Sequence, residues 1–201
     1  WPAPVGTRIL GIGYGYSTGE VLVDPALPVD DLDAHTSTWS ASYATYFDLA
    51  GRTASFQVDV PWADTRFSGR VEGDATTVEL SGWADVKARL AVNLIGAPAM
   101  NREQFRAFRQ DPGGLLGASL RVQAPTGDYN PDRVANIGTS RWAVKPEVGY
   151  LYKLSPRWTL DAALGLWIYG ENSDFLEQQL EQRPLRSAEI HLVRRIRRSF
   201  W

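Results

Sequence analysis

Cysteine is absent from the 201 residues of this chain. That excludes disulfides, thiolate metal sites and cysteine nucleophiles, and it suits an oxidising compartment. Histidine is almost absent as well, with only His35 and His191. Metal and triad chemistry usually draws on more than that, so no catalytic residue, metal ligand or cofactor is assigned. A lipid hydrolase would need a serine–histidine pair facing lipid, and His191 shares strand parity with the charged Glu189, Arg195 and Arg197, which places it on a lumen or rim. No apolar run approaches the roughly 18 residues of a transmembrane helix. Net charge is only −2, so no nucleic-acid-binding surface is implied. A signal peptide is lacking, and the chain starts at Trp1 rather than methionine, which reads as a processed or trimmed chain.

Aromatic residues are plentiful (eight Trp, eight Tyr and seven Phe), and the dominant period of the sequence is two. From Val78 to Leu94 the even positions are almost all apolar, while Glu79, Asp85, Lys87, Arg89 and Asn93 occupy the odd ones. The same split recurs around 53–62, 116–123, 142–153 and 158–168, with further strands near 7–18, 35–47 and, less cleanly, 188–201. This predicts an all-β chain of about eight antiparallel strands, mostly longer than the usual 5–6 residues. Long alternating strands match a transmembrane β-barrel, in which each crossing takes about 9–11 residues. The whole chain reads as one such domain.

Connection lengths alternate. Residues 48–51 and 155–157 are tight turns, whereas 19–34, 63–76, 125–140 and 171–187 read as long polar loops. Outer-membrane barrels have this asymmetry, with the short turns in the periplasm. Residues 96–113 are long but fall on the short-turn side. A capping signature, Asn101 with Gln104 three residues on, predicts a short periplasmic helix near 101–110, serving as a small amphipathic cap or, alternatively, as a plug or partner contact.

The alternation assigns faces. Glu79, Asp85, Lys87, Arg89, Arg121, Arg141, Lys145, Glu147, Lys153 and Asp161 are expected to line a lumen, as a pore wall or as a closed, salt-bridged interior. Trp39, Trp62, Trp142, Tyr152 and Trp158 lie near strand ends on the apolar face, like an interfacial girdle. Glycines 11, 13 and 15 share one strand face and suit a close-packed inner wall; no helix follows them, so a nucleotide loop is excluded. Acidic residues at 24, 30, 31, 33, 171 and 174 read as solvated loop charge, with calcium or lipopolysaccharide bridging as the alternative. In the last strand, Arg194 and Arg198 interrupt the apolar row of Ile190, Leu192, Ile196 and Phe200. The polar 124–142 stretch reads as an extracellular loop carrying Pro125, Thr126, Gly127, Asp128, Tyr129, Asn136 and Gly138.

That stretch, "APTGDYNPDRVANIGTSRWAVKPEVGY", resembles the outer-membrane transporter family of the phenol meta-degradation pathway. "GYGYSTGEVLVDPALPV", "FDLAGRTASF", "VNLIGAPA" and "GENSDF" resemble the same family, so the likeness spans nearly the whole chain. The resemblance implies a Gram-negative outer-membrane β-barrel that passes small hydrophobic or aromatic, phenol-like compounds and has no established catalytic residues. It also implies further C-terminal hairpins and a 10–12-stranded barrel, of which this chain holds about eight strands. The expected partners are outer-membrane lipid and lipopolysaccharide, the solutes themselves and the barrel-assembly machinery. The alternative is a structural or surface-binding barrel with a side-chain-filled, non-conducting interior, which is how a small barrel is usually packed.

Overall fold

The computed structural model describes residues 2–20, 29–71, 73–110, 112–176, 178–194 and 196. Asp24, Arg195 and Arg198, together with the chain beyond 196, lie outside them. The main strands are β1 (Arg8–Glu20), β2 (Val29–Leu49), β3 (Arg52–Val71), β4 (Asp74–Trp83), β5 (Lys87–Ile95), β6 (Leu115–Gln123), β7 (Ala143–Lys153), β8 (Trp158–Tyr169) and β11 (Leu185–Arg194). They form one antiparallel sheet in the order β1-β2-β3-β5-β6-β7-β8-β11, with β4 also paired to β3. The short β9 (Asn172–Phe175) and β10 (Gln178–Leu180) make a separate hairpin. Among the described residues β1 and β11 are not paired with each other, and the sheet is a curved wall, half of a barrel.

The tight turns fall where the sequence places them. At 48–51, Ala50 and Gly51 both have positive φ, 52° and 78°, the geometry of a hairpin turn that matches strand twist. The Asp48 carboxylate accepts the Gly51 N–H at 2.6 Å. Three of the expected long loops are in large part strand among their described residues, 171–187 through β9, β10 and the start of β11. Residues 63–71 extend β3, 74–76 open β4, and 29–34 belong to β2, so Asp30, Asp31 and Asp33 sit in a strand. These extensions rise as a rim beyond the apolar band and are polar on their outer side, which is why they read as loop.

The boundary of that band is visible as a row of rings. Tyr14 is in register with Trp39, Trp39 with Trp62, and Trp62 with Trp83. The Tyr14 and Trp39 rings are 4.8 Å apart and those of Trp62 and Trp83 5.1 Å apart. Below the row the convex face carries Leu10, Ile12, Phe56, Val58, Val60 and Leu90; Leu10 and Ile12 are 84% and 85% exposed. Above it the same face carries Asp64, Arg66, Ser68, Glu79 and Ser81. Trp142, the residue before β7, marks this end, and Tyr152 and Trp158 mark the other. Ten residues separate Trp142 from Tyr152, about 33 Å of strand, or about 25 Å of height at the usual tilt, the thickness of an outer-membrane apolar band.

One correction follows from register. Pairing with β3 runs Trp62↔Trp83 along β4 but Asp59↔Lys87 along β5. An extra residue is therefore inserted at 84–86, and the two segments present opposite parities to the same face. Val78, Leu80 and Gly82 point inward, while Ala88, Leu90 and Val92 point outward. Glu79 is accordingly on the outer face of the rim, paired with Arg66, and not in the lumen. The sequence hides this because polarity inverts at the aromatic row just where parity shifts, so the alternation reads straight through.

At the short-turn end the connection between β5 and β6 folds inward. Helix α1 (Arg102–Phe108) carries the expected capping box: Asn101 accepts the Gln104 N–H, and Gln104 accepts the Asn101 N–H, each at 2.9 Å. Its connection packs Ala97 and Met100, with Phe105 and Phe108, onto the inward-facing Leu115 and Leu151. Thr53 donates to the Pro98 carbonyl at 2.6 Å, and Lys153 Nζ lies 3.4 Å from the Gln110 carbonyl. This segment is a floor to the half-barrel.

Candidate lumen and mouth loop

Between the floor and the opposite mouth lies a cavity of about 520 Å³. Its wall is the odd-numbered face of β3, β5, β6, β7, β8 and β11. Arg89, Arg121, Lys145, Glu147 and Asp161 line it, as do Gln57, Glu189 and His191. Lys87 shares this face, in register with Asp59 on one side and Gln123 on the other.

The electrostatic arrangement has a definite order. Arg89 is in register with Arg121, and Arg121 with Lys145, so three cations stand side by side on adjacent strands. Like charges directly opposite are destabilising. Carboxylates from the next level offset them: Glu147 lies 3.2 Å from Arg89 and 2.6 Å from Lys145, and Glu189 lies 3.6 Å from Lys145. To reach Glu189 on β11, the Lys145 side chain crosses β8 over Gly165, where a β-carbon would stand 2.6 Å from Lys145 Cε. The Lys145 ammonium also faces the Trp167 ring at 5.8 Å, and Arg141 covers Tyr169 at 4.9 Å. Arg141 thus stands above the cavity wall, where it bonds Gln182, and Lys153 belongs to the floor.

Asp85 does not line the cavity. It sits in the 84–86 interruption, 3% exposed, and anchors the mouth loop. Its carboxylate accepts the Gly127 N–H at 2.9 Å, the Thr139 N–H at 3.0 Å, the Thr139 hydroxyl at 2.6 Å and the Gln123 amide at 2.9 Å. Thr126 accepts the Val86 N–H at 2.9 Å. Asp128 accepts the Trp83 N–H at 2.8 Å and returns its own N–H to the Trp83 carbonyl at 2.8 Å. Pro125 through Asp128 therefore lie along the edge that β4 leaves free. Gly127 and Gly138 are where the loop crosses itself: a β-carbon on Gly127 would stand 2.7 Å from Gly138 Cα. Asn136 holds the inner turn, accepting from Asn130 N–H at 2.8 Å and donating to the Asn130 and Arg133 carbonyls. On the far side, Tyr129 donates to the Asp174 carbonyl at 3.0 Å, and Asn172 donates to the Tyr129 oxygen at 2.9 Å. The loop is thus pinned at both flanks. The sequence alone shows its polarity; it gives no sign that Asp85, some 40 residues away, is the anchor.

The two histidines are far apart in role. His35 is on the outer face of the rim, bonded to Thr18 at 2.9 Å, and His191 lines the cavity. The discordant Arg194 is level with Trp158 and stacks over its ring at 5.5 Å, at the edge of the apolar band rather than in its middle.

Residues 14–200 match the family described as "Putative MetA-pathway of phenol degradation". Among solved structures, an outer membrane channel from Pseudomonas putida F1 is similar, with a TM-score of 0.72 and 21% identity over 98% of this chain and 69% of that one. No curated protein matches.

Proposed function

From the premise that this chain belongs to the phenol-degradation family matched over residues 14–200, we propose that it acts in the bacterial outer membrane as a passive channel for small hydrophobic or aromatic, phenol-like compounds. The observation that carries this is the water-accessible cavity behind an apolar outer wall, with three cations abreast on its surface. Such a row attracts the oxygen-bearing end of a weakly acidic ring compound and leaves the uncharged part to the aromatic groups nearby. Transport of this kind involves no covalent chemistry. In this setting outer-membrane lipid and lipopolysaccharide surround the wall, and the barrel-assembly machinery inserts it.

The rival reading, a barrel with a non-conducting interior, draws on a specific observation: both mouths carry inward-folded segments, the floor at one end and the mouth loop at the other. Reconstitution separates the two. The natural full-length protein in planar bilayers is expected to conduct and in liposomes to admit phenol, and Arg89→Ala or Lys145→Ala is expected to shift ion selectivity toward cations. Absence of both conductance and solute uptake overturns the channel.

A further inference from the structure

Above the aromatic row the half-barrel is built inside out. Its outer face there is polar and meets water, yet the inner face carries Phe67, Val78 and Leu80. The mouth loop brings Val134 and Ala135 opposite them, and together they line a second, mostly apolar cavity of about 390 Å³, open on one side, with Arg133 and Glu79 at its polar edge. The loop does not fill it: Val78 and Val134 remain 40% and 39% exposed. This is the face opposite the one that carries Trp62 and Trp83, so on the channel reading its exposure is not explained by the membrane. Exposed apolar surface in a rigid, wetted concavity marks a ligand site. The loop is held in place by Asp85, Asn136 and Tyr129, so the cavity is preformed.

We propose that this rim cavity binds a neutral single-ring aromatic compound ahead of the polar lumen. Its volume is within the range of small-molecule sites, and an apolar void of about 150 Å³ already accepts benzene, so a substituted ring fits. Arg133 supplies a cation for a ring face or a hydroxyl. The proposal rests on the channel reading and names its first contact with solute: apolar capture at the rim, then passage beside the cations.

Fluorobenzene, followed by fluorine NMR on protein in lipid nanodiscs, tests it. Saturable binding beyond that of empty nanodiscs is expected. Val134→Trp, which fills the cavity, is expected to weaken it roughly tenfold or more. Val78→Thr and Leu80→Asn, which change the polarity of the wall with little gain in volume, are expected to weaken it too, and His35→Ala on the outer face of the rim is expected to leave it unchanged. Fluorobenzoate is expected to bind this site less well. Each variant is accepted only if it keeps the heat-dependent gel shift of a folded barrel. Binding no greater than that of empty nanodiscs, or binding unaltered in folded Val134→Trp, overturns the site. Because binding is read without flux, a protein that binds but does not conduct fails only the channel reading, and one that conducts but does not bind fails only this one.

Discussion

At the scale of single residues, Asp85 matters most to the mouth. Four donors converge on its carboxylate, and bonds to a charged acceptor contribute about 1.5–3 kcal/mol each. Asp85→Ala is expected to weaken the loop's attachment by about 3 kcal/mol, which opens it roughly a hundredfold more often. Arg133 in that loop then becomes a trypsin site. Digestion of folded protein should cut after Arg133 rapidly in Asp85→Ala, more slowly in Asp85→Asn, and barely in the wild type. Equal rates in all three would show that the loop is held by something else.

At the scale of elements, the strands were largely legible because period two survives in almost every one. The capping box at 101–104 and the turn at 48–51 were legible for a similar reason: each is a local device whose residues are adjacent. The β3–β4 rim was not, because strands outside the apolar band have polar outer faces and resemble loops. Nor was the inserted residue at 84–86, since two inversions cancel there and leave Glu79 in apparent phase with Arg89. The floor's inward placement and the Asp85 anchor depend on contacts between distant segments, which spacing does not encode. The boundary can be checked by substitution on one face of one hairpin. Leu90→Arg, near the middle of the apolar band, is expected to cost about 2–4 kcal/mol, and Ser81→Arg, above the aromatic row on the same side, about 0–1 kcal/mol. Denaturant unfolding in liposomes measures both; equal costs would mean that Trp62 and Trp83 do not mark the edge of the lipid.

At the scale of the whole molecule, the absence of cysteine makes sidedness directly measurable, since any introduced thiol is the only one. With the rim outside and the short turns in the periplasm, Ser68→Cys and Thr77→Cys are expected to react with an impermeant maleimide on intact Gram-negative cells. Pro156→Cys is expected to react only after the outer membrane is permeabilised. Labelling of position 156 in intact cells would reverse the orientation or place the chain elsewhere.

The path of Lys145 across Gly165 to Glu189 also bears on how the family can vary. A side chain that spans a whole strand makes three positions on three strands dependent on one another, though no two of them are adjacent in sequence. A relative that carries a larger residue at the position of Gly165 blocks the crossing, and it should then lack either the long cation at 145 or the acid at 189. Aligned relatives should therefore show positions 145, 165 and 189 changing as a set, with the glycine kept wherever the lysine and glutamate occur together. Free recombination of the three would mean that the bridge is particular to this chain.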